Sequence, residues 1–316
     1  MRSISYTITG QHAGKTVQQY LKGVQGYSTR VLTALKKTPD GLLQNGEHTR
    51  TVDILREGDV LCINLPPTAK RMPLCDIPVP VLYEDDDVLV YNKPADMPCH
   101  QSGGHIYGTL SGVYAAHCAE TGIVTPFRAV NRLDKDTTGA LVAAKNQLAA
   151  GKLWKTVSKV YVALLQGGPA ADTGTVDLPI ERERPFEIKR IIDPDGQEAV
   201  TRWHVLARGR DCTLCAFTLL TGRTHQIRVH MSARGWPLLG DALYGGDTAE
   251  LSRQALHCAA VAFPHVVTGA FTAAEAPFPQ DMQHLMQSRG IPAGPEVWDQ
   301  IRTLLGTQYT QKTGMI

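Results

Sequence analysis

Residues 131–139 bring together polar side chains that could perform nucleophilic or acid–base chemistry. The segment reads Asn-Arg-Leu-Asp-Lys-Asp-Thr-Thr-Gly and places the carboxylate of Asp134 between two cations. The apolar run 141–144 follows directly and predicts a buried strand. Asp134 could instead cap the turn at 137–139 or pair with Arg132 on the surface, as short polar residues before a strand often do. Taken alone, the segment fits both a functional and a structural role.

A second polar stretch lies at residues 222–230, with the sequence Gly-Arg-Thr-His-Gln-Ile-Arg-Val-His. It predicts a short helix over 224–234, with Thr224 as the N-cap and Gly235 ending the helix. Arg228 would project from the first turns, where an arginine can bind a buried carboxylate through two parallel hydrogen bonds. An ordinary surface helix is the alternative, although such a helix usually has more apolar residues on one face. Together the two stretches predict one site with a carboxylate, an arginine and no metal.

Two other segments look like known motifs but lack residues that the chemistry needs. Residues 9–16 end like a phosphate-binding loop, but Thr9 replaces the opening glycine, which disfavours nucleotide hydrolysis. Cys212 and Cys215 have the spacing of zinc ligands, but no second pair completes the site. The apolar residues around them predict a buried strand with reduced thiols.

The composition describes a globular chain with an uneven charge distribution. Its 316 residues, 43% of them hydrophobic and 20% charged, suit one large domain or one large and one small domain. No apolar run is long enough for a transmembrane helix and no secretion signal opens the chain, so we expect a cytoplasmic protein. Residues 1–75 contain ten basic and five acidic side chains, whereas the whole chain has a net charge of only +2. This asymmetry suits a small module that binds a polyanion, although a basic surface without a partner has the same composition.

The pattern of elements predicts an α+β fold with four parts. Residues 1–67 read as a small basic α+β module, 68–80 as a proline-rich linker, 81–290 as the main domain and 291–316 as a C-terminal helix and tail. In the module, helices are predicted at 17–21 and 29–37 (with Ser28 as N-cap), a turn at 45–46 and a strand within 58–63. In the main domain, a hairpin is predicted at 81–91, a helix at 108–119 and strands at 139–145, 159–166, 198–207, 211–220, 255–264 and 268–276. Such a run of neighbouring strands predicts a large mixed, mainly antiparallel sheet with flanking helices. A final helix is predicted at 296–305, followed by a loose tail.

Several segments, in order along the chain, resemble the signature regions of bacterial pseudouridine synthases of the RluA type. They are 92–100, 131–139, the strand at 158–164, the block at 219–246 and residues 256–259. The resemblance covers roughly residues 80–282. Residues 1–65 are weakly similar to the S-four RNA-binding module that is often fused to these enzymes.

The resemblance implies the pseudouridine synthase fold and the isomerisation of specific uridines in structured RNA, either rRNA or tRNA. It implies that no cofactor or metal takes part and that Asp134 is the catalytic carboxylate. It also implies that Arg228 is the cation beside Asp134, that Tyr161 stacks on the flipped uracil, and that Arg132 is a wedge or a phosphate contact. Asn131 departs from the family, which usually has His at this position.

Two alternatives of other classes remain at this stage. A protein of the same fold could bind RNA without catalysing a reaction, and only turnover separates it from an enzyme. An aspartyl-phosphate phosphotransferase is suggested by residues 134–139, but that chemistry needs further aspartates to hold magnesium. The sequence also leaves open whether the carboxylate attacks the anomeric carbon, abstracts a sugar proton or attacks the base. RNA is the only partner that the sequence implies, and nothing in it demands more than a monomer.

Overall fold

A computed structural model describes residues 2–66, 73–101, 107–122 and 125–314. The N-terminal part contains a four-stranded antiparallel sheet in the order β1-β4-β2-β3. Its elements are β1 (Arg2–Thr7), α1 (Val17–Gln19), a π-helical turn (Tyr20–Val24), α2 (Thr29–Lys37), β2 (Leu42–Gln44), β3 (Glu47–His48) and β4 (Val60–Leu65). As predicted, the Ser28 side chain caps α2 by accepting a hydrogen bond from the backbone N–H of Val31. Asn45 and Gly46 form the predicted turn, with φ angles of 54° and 88°.

The remaining strands form a nine-stranded sheet and a separate two-stranded ribbon. The strands are β5 (Val81–Glu84), β6 (Val88–Lys93), β7 (Thr138–Ala144), β8 (Ser158–Gln166), β9 (Thr173–Asp177), β10 (Ile180–Arg182), β11 (Arg190–Ile192), β12 (Val200–Arg208), β13 (Cys212–Leu219), β14 (Leu256–Pro264) and β15 (Phe271–Glu275). The order in the large sheet is β5-β6-β7-β14-β8-β13-β12-β9, with β15 paired to β14. Among the described strands of this sheet, β7 and β14 form the one parallel pair. The expected α+β fold with a mixed, mainly antiparallel sheet is therefore confirmed.

Five helices flank this sheet in the described part of the chain. They are α3 (Leu110–Glu120), α4 (Gln147–Leu153), α5 (Gln226–Ala233), α6 (Gln280–Ser288) and α7 (Pro295–Thr313). None of the helices in the described ranges is both long and apolar enough to cross a membrane. Cys212 and Cys215 lie buried in β13 as thiols, as expected for a strand of the core.

Two predictions about helices were wrong in detail. The predicted helix at 224–234 begins only at Gln226, because His225 takes a left-handed backbone conformation with φ 58° and Thr224 does not cap the helix. The predicted loose tail after residue 305 is helical to Thr313, and Tyr309 is buried against the sheet. This part of α7 is ordered because packing against the sheet compensates for its weak apolar periodicity.

The side chains of strand β8 alternate between the two faces of the large sheet. Val160, Val162 and Leu164 pack on one face with the apolar side chains of α7. Alternate side chains of a strand point to opposite faces, so Tyr161 points to the other one. The C-terminal helix therefore covers the face away from Tyr161 and leaves the face of Tyr161 available to a site.

The division of the chain into domains stays a prediction. Residues 67–72, which include both basic residues of the predicted linker, lie outside the described residues. Residues 73–80 form no helix or strand. One cluster of buried apolar side chains includes Ile4 and Leu61 of the small sheet as well as Val88 and Leu141 of the large one. The small sheet is thus packed against the large one.

Candidate active site

Lys93, at the end of β6, holds the backbone around the predicted catalytic segment. Its ammonium is fully buried and donates to the backbone oxygens of Pro94, Met97 and Lys135 at 2.7, 2.8 and 2.7 Å. Burial lowers the pKa of Lys93 to about 8, so the side chain still carries three N–H donors at neutral pH. Because Lys135 directly follows Asp134, the buried ammonium fixes the backbone next to the carboxylate. Sequence reasoning did not identify this role, although Lys93 ends an apolar strand and lies within the segment 92–100 that resembles the family.

The other end of the segment is held by β14 and the residues before it. Gln254 donates to the hydroxyl of Thr137 at 3.1 Å. The hydroxyl of Thr138 lies 2.8 Å from Nδ1 of His257, and Nε2 of His257 lies 3.0 Å from the backbone oxygen of Ala276. A backbone oxygen can only accept, so Nε2 carries the proton and Thr138 donates to Nδ1. Burial lowers the pKa of His257 to about 4 and keeps the ring neutral.

Gly139 allows β7 and β14 to approach each other at this point. Its φ is +108°, and a Cβ atom there would lie 2.3 Å from the backbone oxygen of Cys258. A side chain would therefore clash with β14. Packing therefore requires a glycine at position 139, whereas it does not require the carboxylate of Asp134.

Asp134 lies at the surface of this segment, with 27% of its side chain exposed. Nη1 of Arg228 donates to its Oδ2 at 3.3 Å. The structure thus brings together two residues that are 94 positions apart, as the sequence analysis expected. Asp134 does not bond Arg132, which is exposed, and its contact to the turn is a backbone one, from the N–H of Thr137 to its carbonyl oxygen at 3.1 Å.

Arg228 makes its two parallel hydrogen bonds with a different carboxylate, that of Asp241. Nε and Nη2 of Arg228 donate to Asp241 at 2.6 and 2.8 Å, and only 1% of the Asp241 side chain is exposed. The buried carboxylate that receives the two parallel bonds is therefore Asp241 and not Asp134, because the guanidinium edge that faces Asp134 offers a single nitrogen. Burial opposes the charge of Arg228, but hydrogen bonding and the negative charge of Asp241 raise its pKa overall. Asp241 lies within the block 219–246 that resembles the family, but its role was missed because the sequence does not show which carboxylate faces the guanidinium.

Tyr244 and His225 complete the surroundings of Arg228. The guanidinium lies 5.0 Å from the centre of the Tyr244 ring. The Tyr244 hydroxyl accepts from the backbone N–H of Arg190 at 2.9 Å and lies 2.8 Å from Nδ1 of His225. Burial lowers the pKa of His225, so the ring is neutral and accepts the Tyr244 proton at Nδ1. The proton of His225 is then on Nε2, which faces Oδ2 of Asp134 at 3.8 Å.

All four residues that the sequence analysis named line one pocket. Asp134, Tyr161, Arg228 and Arg132 share it with apolar side chains that include Leu133, Ile227 and Leu256. Burial raises the pKa of Tyr161 well above its ordinary value, so the phenol keeps its proton. The side chain of Asn131 donates to the backbone oxygen of Ala140 at 3.2 Å and accepts from the backbone N–H of Val142 at 2.8 Å, both in β7. The residue that departs from the family therefore connects the predicted catalytic segment to β7.

Within the ranges that the structure describes, no group of three or more His, Cys, Asp and Glu side chains is arranged to hold a metal ion.

Comparison with known proteins identifies the family. The model of the family described as RNA pseudouridylate synthase matches residues 87–233. An uncharacterized RNA pseudouridine synthase of Bacillus subtilis is 41% identical over 279 residues, which cover 86% of this chain and 98% of that protein. The ribosomal large subunit pseudouridine synthase D of Xanthomonas campestris is 38% identical over 83% of this chain and 85% of its own length. The solved structure of human RNA pseudouridylate synthase domain containing 1 superimposes with a TM-score of 0.54 at 26% identity and covers 69% of this chain and 97% of that one. The chain belongs to the RNA pseudouridylate synthases, in the RluA family, and is an isomerase that converts uridine in RNA to pseudouridine.

Proposed function

We propose that Asp134 is the catalytic carboxylate of this isomerisation. The reaction breaks the bond between N1 of uracil and C1′ of ribose, turns the base, and joins C5 to C1′, while C5 loses its hydrogen as a proton and N1 gains a proton. It is redox-neutral and adds no external group. A carboxylate that faces the sugar can act as the nucleophile or the base that the reaction needs, as in glycoside cleavage. One observation supports this role best. Asp134 is partly exposed in the pocket and contacts the buried guanidinium of Arg228, which Asp241 holds through two hydrogen bonds.

Arg228 and Tyr161 would act around this carboxylate. The positive charge of Arg228 stabilises an anionic Asp134 within a partly desolvated pocket, and Asp241 holds the guanidinium in place. Tyr161 presents a neutral ring against which a uracil can stack, and its hydroxyl can donate a hydrogen bond. Arg132, exposed at the rim, would contact the RNA backbone or fill the space of the flipped base. The family assignment decides against the phosphotransferase alternative.

We further propose that the substrate is a structured RNA of the cytoplasm and that the enzyme acts as a monomer without an obligatory protein partner. Large-subunit rRNA is the first candidate, because the relative from Xanthomonas campestris is named for that substrate. A tRNA is the second candidate. The RNA-binding role of the basic N-terminal part belongs to the same proposal and rests on its charge and on its position beside the large sheet.

The substrate is tested with unmodified transcripts of large-subunit rRNA and of tRNA, each labelled with tritium at C5 of uracil. Joining C5 to C1′ expels the label, so tritium release counts turnovers. We expect release from the rRNA transcript. Release from the tRNA transcript alone would show that tRNA, and not rRNA, is the substrate. Release from neither transcript would favour a binding protein of the same fold.

A further inference from the structure

A cleft of about 550 Å³ lies between the small N-terminal part and the large sheet, away from the catalytic pocket. The start of α2 forms one wall, with Ser28 and Arg30, and the segment 126–128 and α4 form the other, with Arg128 and the neighbouring Trp154. The described residues that line it include two arginines and no carboxylate. The positive charge of the two arginines is complementary to the negative charge of a phosphate group.

The two walls are fixed relative to each other. Nε and Nη2 of Arg2 in β1 donate to both carboxylate oxygens of Asp87, at 3.2 and 2.9 Å, and Asp87 is buried between β5 and β6. Lys152 of α4 donates to the backbone oxygen of Val266 at 2.8 Å and lies 5.8 Å from the centre of the ring of Tyr27, the residue before the N-cap of α2. The cleft is therefore a preformed feature of the fold, and the acidic turn before β6 serves to hold its first wall.

Arg128 lies in the cleft beside a second cation, Arg30, and its Nη1 donates to the backbone oxygen of Pro126 at 3.1 Å. Burial lowers the pKa of Arg128, and the nearby positive charge of Arg30 lowers it further. Two like charges that share a cleft repel each other unless an anion lies between them. An anion bound there would relieve this repulsion.

The cleft is connected to the catalytic pocket by a short backbone segment. Residues 128–130 run beside β7, where the backbone N–H of Ala144 donates to the oxygen of Arg128 at 2.8 Å and the N–H of Val130 donates to that of Val142 at 2.8 Å. Arg132, which lines the catalytic pocket, is only four residues further along. Even a fully extended chain spans at most about 14 Å over four residues. A ligand in the cleft is thus within a few nucleotides of a uridine in the pocket.

We infer that this cleft binds the substrate RNA beside the modified uridine, with Arg30 and Arg128 on a backbone phosphate and Trp154 stacked against an unpaired base. The inference rests on the proposed function, because it takes the RNA in the cleft to be the RNA that is isomerised. Trp154 is 67% exposed, and Lys155 lies 5.1 Å from the centre of its ring. An exposed aromatic ring beside cations is the composition of a surface that binds single-stranded RNA.

The test uses Arg30→Ala and Trp154→Ala, two surface changes that leave the core intact, with Arg210→Ala as the control. Arg210 is an exposed arginine in the turn between β12 and β13, in the other half of the large sheet. Binding of the full-length protein to an unmodified large-subunit rRNA transcript is measured between 50 and about 300 mM salt. Tritium release from the same transcript gives kcat and KM.

For Arg30→Ala we expect the slope of log affinity against log salt to fall by about 0.7–0.9, which is one phosphate contact, and KM to rise. For Trp154→Ala we expect affinity to fall at least about fivefold with the slope retained, because stacking releases no counterion. Arg210→Ala should match the wild type. Wild-type slope and KM in Arg30→Ala, or equal losses in Arg210→Ala, would overturn the assignment of the cleft. If the wild type binds RNA but releases no tritium, the proposed substrate is wrong, while the salt slopes still decide whether the cleft binds RNA.

Discussion

Arg228 binds Asp241 more closely than it binds Asp134. Its two contacts with Asp241 are 2.6 and 2.8 Å long, whereas its single contact with Asp134 is 3.3 Å long. The buried Asp241 thus neutralises and orients the guanidinium, and the partly exposed Asp134 receives a single bond from Nη1. Asp134 is left with most of its hydrogen-bonding capacity for a substrate.

Asp241→Asn should therefore impair both folding and turnover. Breaking a buried ion pair by removing one partner costs about 3–5 kcal/mol, because the remaining charge is left without compensation. We expect the free energy of unfolding to fall by that amount and tritium release to fall about 10²-fold, since Arg228 would no longer be held in front of Asp134. Urea unfolding and initial rates on the same preparation measure the two effects.

Asp172→Asn is the matched control for this change. Asp172 also pairs with an arginine, Arg208, at 2.8 Å, but its side chain is 83% exposed. An exposed pair contributes at most about 1 kcal/mol. Equal effects of the two substitutions would show that Asp241 does not have the role assigned to it.

Lys93→Met should lower turnover more than RNA affinity. The substitution keeps an unbranched side chain but removes all three donors to the backbone around Asp134, and it leaves three carbonyl oxygens without that partner. We expect kcat to fall by about 10²-fold through misplacement of the carboxylate, with KM within about threefold of the wild type. Lys145→Met, at the opposite end of β7, is the control, and a loss of the same size there would point to a general loss of structure.

The stability of the protein should fall between pH 7 and pH 5 because of His257. Its folded-state pKa of about 4 lies below the ordinary value of 6.5, so the unfolded chain binds a proton that the folded chain excludes. The contribution of neutral His257 to the free energy of unfolding is fully present above pH 6.5 and is lost as the pH falls toward 4. Between pH 7 and pH 5 the loss is about 2 kcal/mol. Urea unfolding at the two pH values should show this loss in the wild type and a smaller one in His257→Gln. The same loss in both proteins would assign the effect to other groups.

The fold could largely be predicted from the sequence, because strands such as β8 and β13 are long apolar runs between clear turns. The convergence of Asp134 and Arg228 was predicted from their residue types and from the family resemblance. Their exact pairing was not, because which edge of a guanidinium faces which carboxylate depends on the left-handed turn at His225, which a sequence pattern does not reveal. Lys93 was missed for a related reason, since a lysine at the end of a strand ordinarily lies in solvent. The end of α7 was mistaken for a tail because its burial depends on contacts with distant strands.

The central claim, that Asp134 performs the isomerisation, is tested most directly by tritium release from C5-labelled RNA with wild type, Asp134→Asn and Asp136→Asn. Asp136 is the neighbouring carboxylate in the same segment, and it accepts a hydrogen bond from the backbone N–H of Asp96 at 3.2 Å. We predict that Asp134→Asn binds the RNA like the wild type but releases tritium on the order of 10⁴-fold more slowly, whereas Asp136→Asn retains most of its activity. Turnover by Asp134→Asn at the wild-type rate would contradict the assignment of the catalytic carboxylate.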